Sequence, residues 1–462
     1  MRLRSVVYFK FLGHGARRAT GLFVPSPREA RGAFHFNPIA RLRTHNRYWK
    51  LFLISLLSST LFSCGIQKTS DDDFLLELMK SDPEKFQSYL DNKDKHEIQI
   101  IYTQINRDAN NKPSFKSFYF NVDSTNYFYP ASTVKLPLVL LALEKLNSLR
   151  MAGLDRNTTM LHDSVYSGQQ RVIKDATSEN NLPSVAHYSK KILVVSDNDA
   201  FNRLYEFIGQ QETNQILRGK GYNIRFLHRL ERSLTPDQNR HTEAIRFMNG
   251  SALVYNQPML VNPDSIKPPR KVLKGIGYFK RDSLIMEPFD FTYKNDYPLY
   301  EQQEILKAIL FPGAVEQRRR FDFSEDDRQF VLQYMSQWPR ETIYPPYYKD
   351  TTLYDAYCKF ILFGEDKNPI PRNIRIFNKV GDAYGYLIDN AYLVDYDHGV
   401  EFMLSAVINT NTDQIYNDGK YEYKTLGFPF MKNLGQLIYQ YELKRTKKVN
   451  PDLSEFKLKY EQ

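Results

Sequence analysis

Tyr129-Pro-Ala-Ser-Thr-Val-Lys-Leu-Pro-Leu-Val-Leu-Leu-Ala-Leu-Glu-Lys-Leu146 is the stretch on which the fold turns. After Pro130 the run is apolar and helix-favouring, which predicts a helix buried at the centre of a domain. Pro137 lacks an amide donor, so it belongs near the start of that helix or at a bend in it.

Elements on either side fit a sheet that such a helix could cover. Upstream, residues 74–91 show helical spacing, His96–Ile105 alternates as a strand, Asn110–Pro113 is a turn, and Phe115–Asn121 is a second strand. Downstream, Ser184–Gly209 predicts two helices joined at Ser196-Asp-Asn198. Asn378–Val394 and Gly399–Asn409 predict strands, and Phe428–Leu443 a final amphipathic helix. Strands at both ends with helices between them predict an α/β sandwich built on an antiparallel sheet whose first and last elements meet. Residues 250–345 are rich in Pro, Tyr and mixed charge, and predict an inserted subdomain.

Three short motifs carry chemistry. Ser132-Thr-Val-Lys135 places a hydroxyl and an amine three apart, on one face of a helix. A serine hydroxyl is a weak nucleophile that needs a base, and a lysine serves once burial or a neighbouring cation lowers its pKa. Ser454-Glu-Phe-Lys457 repeats the spacing in the polar tail, where chance is the better explanation. Ser196-Asp197-Asn198 offers a second hydroxyl to relay a proton and an amide to bind both a lysine and a substrate carbonyl. All three residue types also cap helices well. Lys379-Val380-Gly381 opens a strand pair, with a cation for a substrate carboxylate and a glycine that admits close backbone approach.

Taken in order, these motifs resemble those of the class A β-lactamases and the wider penicillin-binding serine hydrolases, S-x-x-K, S-D-N and K-T-G. The likeness extends to Tyr129–Lys135, to Ile192-Leu-Val-Val-Ser-Asp-Asn-Asp-Ala200 and to Lys379-Val-Gly-Asp-Ala-Tyr-Gly385 through Asp389. It covers roughly residues 74–250 and 346–445. The resemblance implies an antiparallel sheet flanked by helices, with an all-helical subdomain. It implies a hydrolase domain at 74–445 interrupted by the insertion at about 250–345, followed by a polar tail at 446–462. Carried over by position, Ser132 is acylated, Lys135 takes its proton, and Ser196 passes a proton to the departing nitrogen. Asn198 orients Lys135 and the substrate, and Lys379 attracts the substrate carboxylate. Gly381 lines the strand, and the amides of Ser132 and Asp382 form the oxyanion hole.

Two positions depart from that pattern. Val380 stands where the family has Thr or Ser, and loses a hydroxyl that helps hold the carboxylate. In Arg229-Leu-Glu-Arg-Ser-Leu234, Leu234 stands where the family has the glutamate that activates the deacylating water. Glu231 falls on the family's structural aspartate, which predicts a loop salt bridge to a nearby arginine. Acylation with stalled deacylation, and so slow or absent β-lactam turnover, is the expectation. The substrate would be a small amide or ester or a cell-wall peptide. A D-alanyl-D-alanine peptidase-like or penicillin-binding protein, and a surface lipoprotein that keeps the fold only for binding, are the competing readings.

The front of the chain predicts an address. Residues 41–50 are basic and residues 51–63 are uncharged. Thirteen residues of helix reach about 20 Å, short of the roughly 30 Å hydrocarbon core, so the run suits a secretory signal. Leu61-Phe-Ser-Cys64-Gly65 resembles the lipobox of bacterial lipoproteins. Residues 1–63 are then an extension and signal segment, and residues 64–73 a tether lipidated at Cys64. The protein would be exported and held at the bacterial cell envelope by its lipid.

Charge supports this division. The first fifty residues hold eleven Lys and Arg against one acid, and the remaining 52 basic and 52 acidic side chains balance. The neutral body speaks against a nucleic-acid partner. Cys358 is the one other cysteine, so no disulfide framework is predicted and a buried thiol is expected. Nine scattered histidines form no metal motif, and neither metal nor cofactor is expected in what should be a monomer.

Overall fold

The computed structural model describes residues 73–461 apart from 264, 265, 267 and 269. The signal segment, Cys64 and most of the tether lie outside the described residues.

Five antiparallel strands form the central sheet: β1 (Gln99–Arg107), β2 (Pro113–Phe120), β3 (Ile374–Ala383), β4 (Tyr386–Asp395) and β5 (Val400–Asn409). Their order is β3-β4-β5-β1-β2, so the two ends of the chain meet where β5 pairs with β1, with Gln99 opposite Val407. The predicted strand at 378–394 is in fact a hairpin, closed by the two-residue turn Tyr384-Gly385.

Alternation along the strands feeds two cores. In β4, Ala391 and Leu393 join an apolar cluster with Ile100 and Phe402, while Tyr392 and Val394 join another with Phe377 and Met403. Helices α1 (Phe74–Lys80) and α2 (Pro83–Asp91) cover the first face together with the C-terminal helix. Pro83 opens α2 and splits the single helix expected over 74–91. The second face is covered by α3 (Lys135–Leu149), α4 (Val185–Val195), α5 (Asn198–Ile208), α6 (Leu299–Leu310) and α7 (Glu325–Ser336). Helix α3 is buried from Lys135 through Leu143, with Pro137 in its first turn, and only its last turn emerges. The helical layer also carries a small antiparallel sheet of residues 159–163, 244–249 and 252–257.

Residues 250–345 are not one inserted subdomain. Helix α6 lies on the sheet, where Gln303 accepts from Thr103 Oγ1 at 2.7 Å and donates to Ser405 Oγ at 2.9 Å. Its apolar stripe, Leu299, Ile305, Leu306 and Ile309, is masked in the sequence by neighbouring Tyr, Pro and charge. The segment that stands apart is shorter. It comprises the hairpin of residues 277–280 and 283–285, which meets residues 415–416, and the pair 273–274 and 289–290. Residues 446–461, polar in composition, are tied into the fold. Phe456 is fully buried against Phe311, Phe377 and Tyr392, and Leu453 is buried beside it. Polar ties add to these apolar anchors: Ile343 N donates to Glu461 at 2.6 Å, and Tyr396 OH donates to Phe456 O at 2.6 Å.

The C-terminal helix α8 (Phe428–Lys444) meets the backbone of Leu362 at Gly435, where an added Cβ would lie 2.2 Å from Leu362 N and 2.7 Å from its Cα. Overpacking costs about 1–3 kcal/mol, while Ala gains about 1 kcal/mol over Gly in a helix. Because both contacts are to backbone, strain should win. Gly435→Ala is expected to lower the urea midpoint without changing the slope of the transition.

Candidate active site

The nucleophile motif sits at the entry to α3. Residues Ala131–Val134 form a 3₁₀ turn that runs directly into the helix. Ala131, buried immediately before Ser132, has φ of +48°, a left-handed conformation that is costly for a residue with a Cβ. That sharp turn projects Ser132 at the helix start, half-buried and without a hydrogen bond from its hydroxyl among the described residues.

Lys135 is fully buried one turn later. Its Nζ donates to Ser196 O and to Asn198 Oδ1, each at 2.5 Å, and lies 3.3 Å from Ser196 Oγ. Burial pushes its pKa well below the ordinary lysine value, and the Lys379 charge pushes it further. A neutral amine has two N–H bonds and one lone pair. The two short bonds occupy both donors, which leaves the lone pair to take a proton from a hydroxyl.

The second motif divides its labour. Asp197 is the cap, accepting from Ala200 N at 2.7 Å at the start of α5. Ser196, in a left-handed conformation at the end of α4, and Asn198 are left to face Lys135. Lys379 Nζ reaches the same hydroxyl from β3, donating to Ser196 Oγ at 2.7 Å and to Val380 O at 2.9 Å. Burial lowers its pKa to about 8.

Gly381 admits a close backbone approach, as its position suggested. A Cβ there would stand 2.8 Å from Pro130 O and 2.9 Å from Ser132 N, so what approaches closely is the backbone of the nucleophile turn. The outer edge of β3 is thereby pressed against that turn. The amides of Ser132 and of Asp382, the next residue along β3, are brought to the same corner. Ser132, Lys135, Ser196, Asn198, Lys379, Gly381 and Asp382 thus converge on one site. Among the described residues no cluster of His, Cys, Asp and Glu could hold a metal ion.

Residues 84–267 match the family described as the beta-lactamase enzyme family. The part of the chain that holds the nucleophile is thus similar to a β-lactamase-like serine hydrolase domain. The matched span includes Ser132, Lys135, Ser196 and Asn198. No curated protein matches the chain. Similar solved structures include PBP-A, at 15% identity over 81% of this chain and 97% of that one with a TM-score of 0.42, and a PBP-A mutant as the acyl-enzyme with penicillin G, at 14%, 80%, 98% and 0.43. A β-lactamase from Xanthomonas campestris pv. campestris is 14% identical over 80% of this chain and 98% of its own, with a TM-score of 0.41.

Both departures of this β-lactamase-like domain have a structural setting. Val380 is 2% exposed and packs in the apolar cluster on the far face of β3 from Gly381. Leu234 is half-buried beside Gly168 and Gln238. Glu231 does not make the expected salt bridge. It is exposed at φ +51° and has no ion pair among the described residues. The loop is anchored instead by buried Arg229, which donates to both oxygens of Glu206 at 2.5 and 2.8 Å and to His241 O at 2.8 Å. Arg229 precedes Glu231 by two, so the salt bridge was assigned to the wrong member of an Arg/Glu-rich run.

Sequence reasoning missed the support behind Lys379. Asp389 is fully buried, accepts from the amides of Phe360 and Ile361 at 2.9 Å and from Asn378 Nδ2 at 2.7 Å, and so clips residues 360–361 to the sheet. Lys359, also buried, donates to Asn378 Oδ1 at 2.7 Å and to Met335 O at 2.9 Å. Asn378 and Asp389 bracket the third motif, a signal that spacing alone contains. Cys358 is buried beside them, and burial pushes its thiol pKa up, as expected of an inert cysteine.

Acylation requires neutral Lys135 and an ammonium at Lys379. The first condition holds from well below the usual lysine range upward, and the second fails as pH rises through about 8. The rate of adduct formation on Ser132 with a reactive ester should therefore fall above about pH 8. Lys379→Arg, whose charge does not titrate there, should flatten that limb.

Proposed function

We propose that Ser132 is the acylated nucleophile of an enzyme that cleaves an amide or ester, drawn from cell-wall peptides or their breakdown products, and that deacylates slowly. The observation that carries this reading is Lys135, one helical turn after Ser132: a buried amine with both donors occupied and its lone pair free. Ser132 Oγ attacks the carbonyl carbon and its proton passes to Lys135. The tetrahedral oxyanion is held by the amides of Ser132 and Asp382. The carbon–nitrogen or carbon–oxygen bond then breaks, and the leaving atom takes its proton through Ser196, whose oxygen is held by Lys379. Water must next cleave the Ser132 ester to return the free serine. With Leu234 in place of a carboxylate, and Glu231 directed to solvent, that water lacks a strong base, so the acyl-enzyme accumulates.

We infer further that the chain is exported and anchored by lipid at Cys64, on the support of the basic flank, the short apolar run and the lipobox-like site. Labelled palmitate fed to expressing cells should enter the wild-type protein and not Cys64→Ala. Label retained in Cys64→Ala would remove the anchor from this account.

Intact-protein mass spectrometry tests the chemistry. The fragment beginning after Cys64, incubated with a penicillin and with a reactive ester, should gain one acyl mass that persists after excess reagent is removed. Ser132→Ala should gain none. Rapid steady turnover of penicillin would overturn slow deacylation, and the lack of any adduct on folded protein would favour a binding role.

A further inference from the structure

The wall of the site at the far end of β3 from Lys379 is built partly by the segment that follows the small hairpin at 277–285. Asn295 is fully buried, and its Oδ1 accepts from the amides of Leu227 at 2.7 Å and His228 at 3.1 Å. Its carbonyl accepts from Tyr127 OH at 3.0 Å. One residue thus ties the segment leading into Ser132 to the loop that ends in Leu234. On this junction His228 stacks flat on Tyr129, with ring centroids 6.3 Å apart and planes 5° apart. Tyr384, in the turn that ends β3, stands edge-on to Tyr129 at 5.0 Å.

Lys294 sits beside this wall. Its Nζ lies 5.6 Å from the centre of the Tyr384 ring, and among the described residues no carboxylate pairs with it. The nearby Asp296 is already engaged by Arg225 at 3.1 Å. Half-buried lysines in this protein otherwise meet acids, as Lys220 meets Glu144 and Lys274 meets Glu97. His228 Nε2 is buried without a partner among the described residues on the same wall, and burial, with the Lys294 charge second, lowers its pKa to about 4, so the imidazole adds no second positive charge beside Lys294.

Position along β3 says which part of a substrate this cation meets. Ser132 lies against Gly381. Lys379 and Ser196, which serve the leaving group, lie to one side. Ala383 and Tyr384 lie to the other, about 13 Å along the strand from Lys379 to Ala383. A substrate laid along this edge with its leaving group at Ser196 directs its acyl portion toward Tyr384 and Lys294.

We propose that Lys294 binds a carboxylate carried on the acyl portion of the substrate, with Tyr384 and Tyr129 flanking the carbon chain that bears it. The natural acyl donor is therefore anionic on the acyl side of the scissile bond. This inference rests on the acyl-transfer reading of Ser132.

The test uses two thioesters, a phenylacetyl group bearing a para-carboxylate and the same group bearing a para-carboxamide, with acylation of Ser132 followed by mass. Wild-type protein should acylate with the carboxylate at least about tenfold faster, in line with a charge-assisted hydrogen bond. The ratio of the two rates should fall to about one in Lys294→Gln and be largely retained in Lys294→Arg. Raising the ionic strength should compress the wild-type ratio, a readout that needs no substitution. A wild-type ratio near one, or a ratio that survives in Lys294→Gln, overturns the proposal while the acyl-transfer reading stands. No acylation by either thioester overturns both.

Discussion

Two lysines are buried within reach of one hydroxyl. Lys135 and Lys379 both reach Ser196 Oγ, and among the described residues neither has a carboxylate at its amine. Two ammonium ions cannot share so dry a space without severe repulsion, so one amine must give up its proton, and it is the more deeply perturbed Lys135. The fold exists to hold that arrangement. Helix α3 brings Lys135, the break between α4 and α5 brings Ser196 and Asn198, and the edge strand β3 brings Lys379. Contact between Gly381 and the Pro130–Ser132 backbone keeps the three in register. The Asp389–Asn378–Lys359 network behind β3 adds stiffness where Lys379 is attached.

Much of this was legible because it is written in short-range patterns. The apolar run after Ser132 could only be a buried helix. The alternation at 96–105 pointed to a strand, and the order of the three motifs narrowed the chemistry to acyl transfer. Single positions were harder. Gly381 was expected to admit substrate backbone, whereas it admits the nucleophile turn, because which backbone lies opposite a strand edge is a tertiary fact. Val380 faces the apolar core rather than the cleft, a matter of strand parity relative to Lys379. Glu231 lost its expected partner because Arg229, two residues earlier, has the buried Glu206 within reach.

Composition misled more than periodicity did. Tyrosine, proline and mixed charge made 250–345 look foreign to the domain. Yet α6 buries one stripe on the sheet and shows its charged residues elsewhere, as any amphipathic helix does. The last residues read as a polar tail for the same reason, because Phe456 and Leu453 are too few to shift an average. The turn before Ser132 was beyond sequence reasoning altogether: nothing about alanine announces a left-handed backbone at Ala131.

The pairing of β5 with β1 has a consequence in time. Strand β1 is complete by residue 107, and the strand that pairs with it in the middle of the sheet is not made until residues 402–407. Ser132 and Lys135 are likewise synthesised early, but the strand that delivers Lys379 comes some 240 residues later. During synthesis the chain therefore holds its nucleophile long before it holds the cation that completes the site, and long-range pairings of this kind close late. A half-made chain cannot acylate itself on whatever ester it meets, because assembly of the catalytic centre and completion of the sheet are the same event.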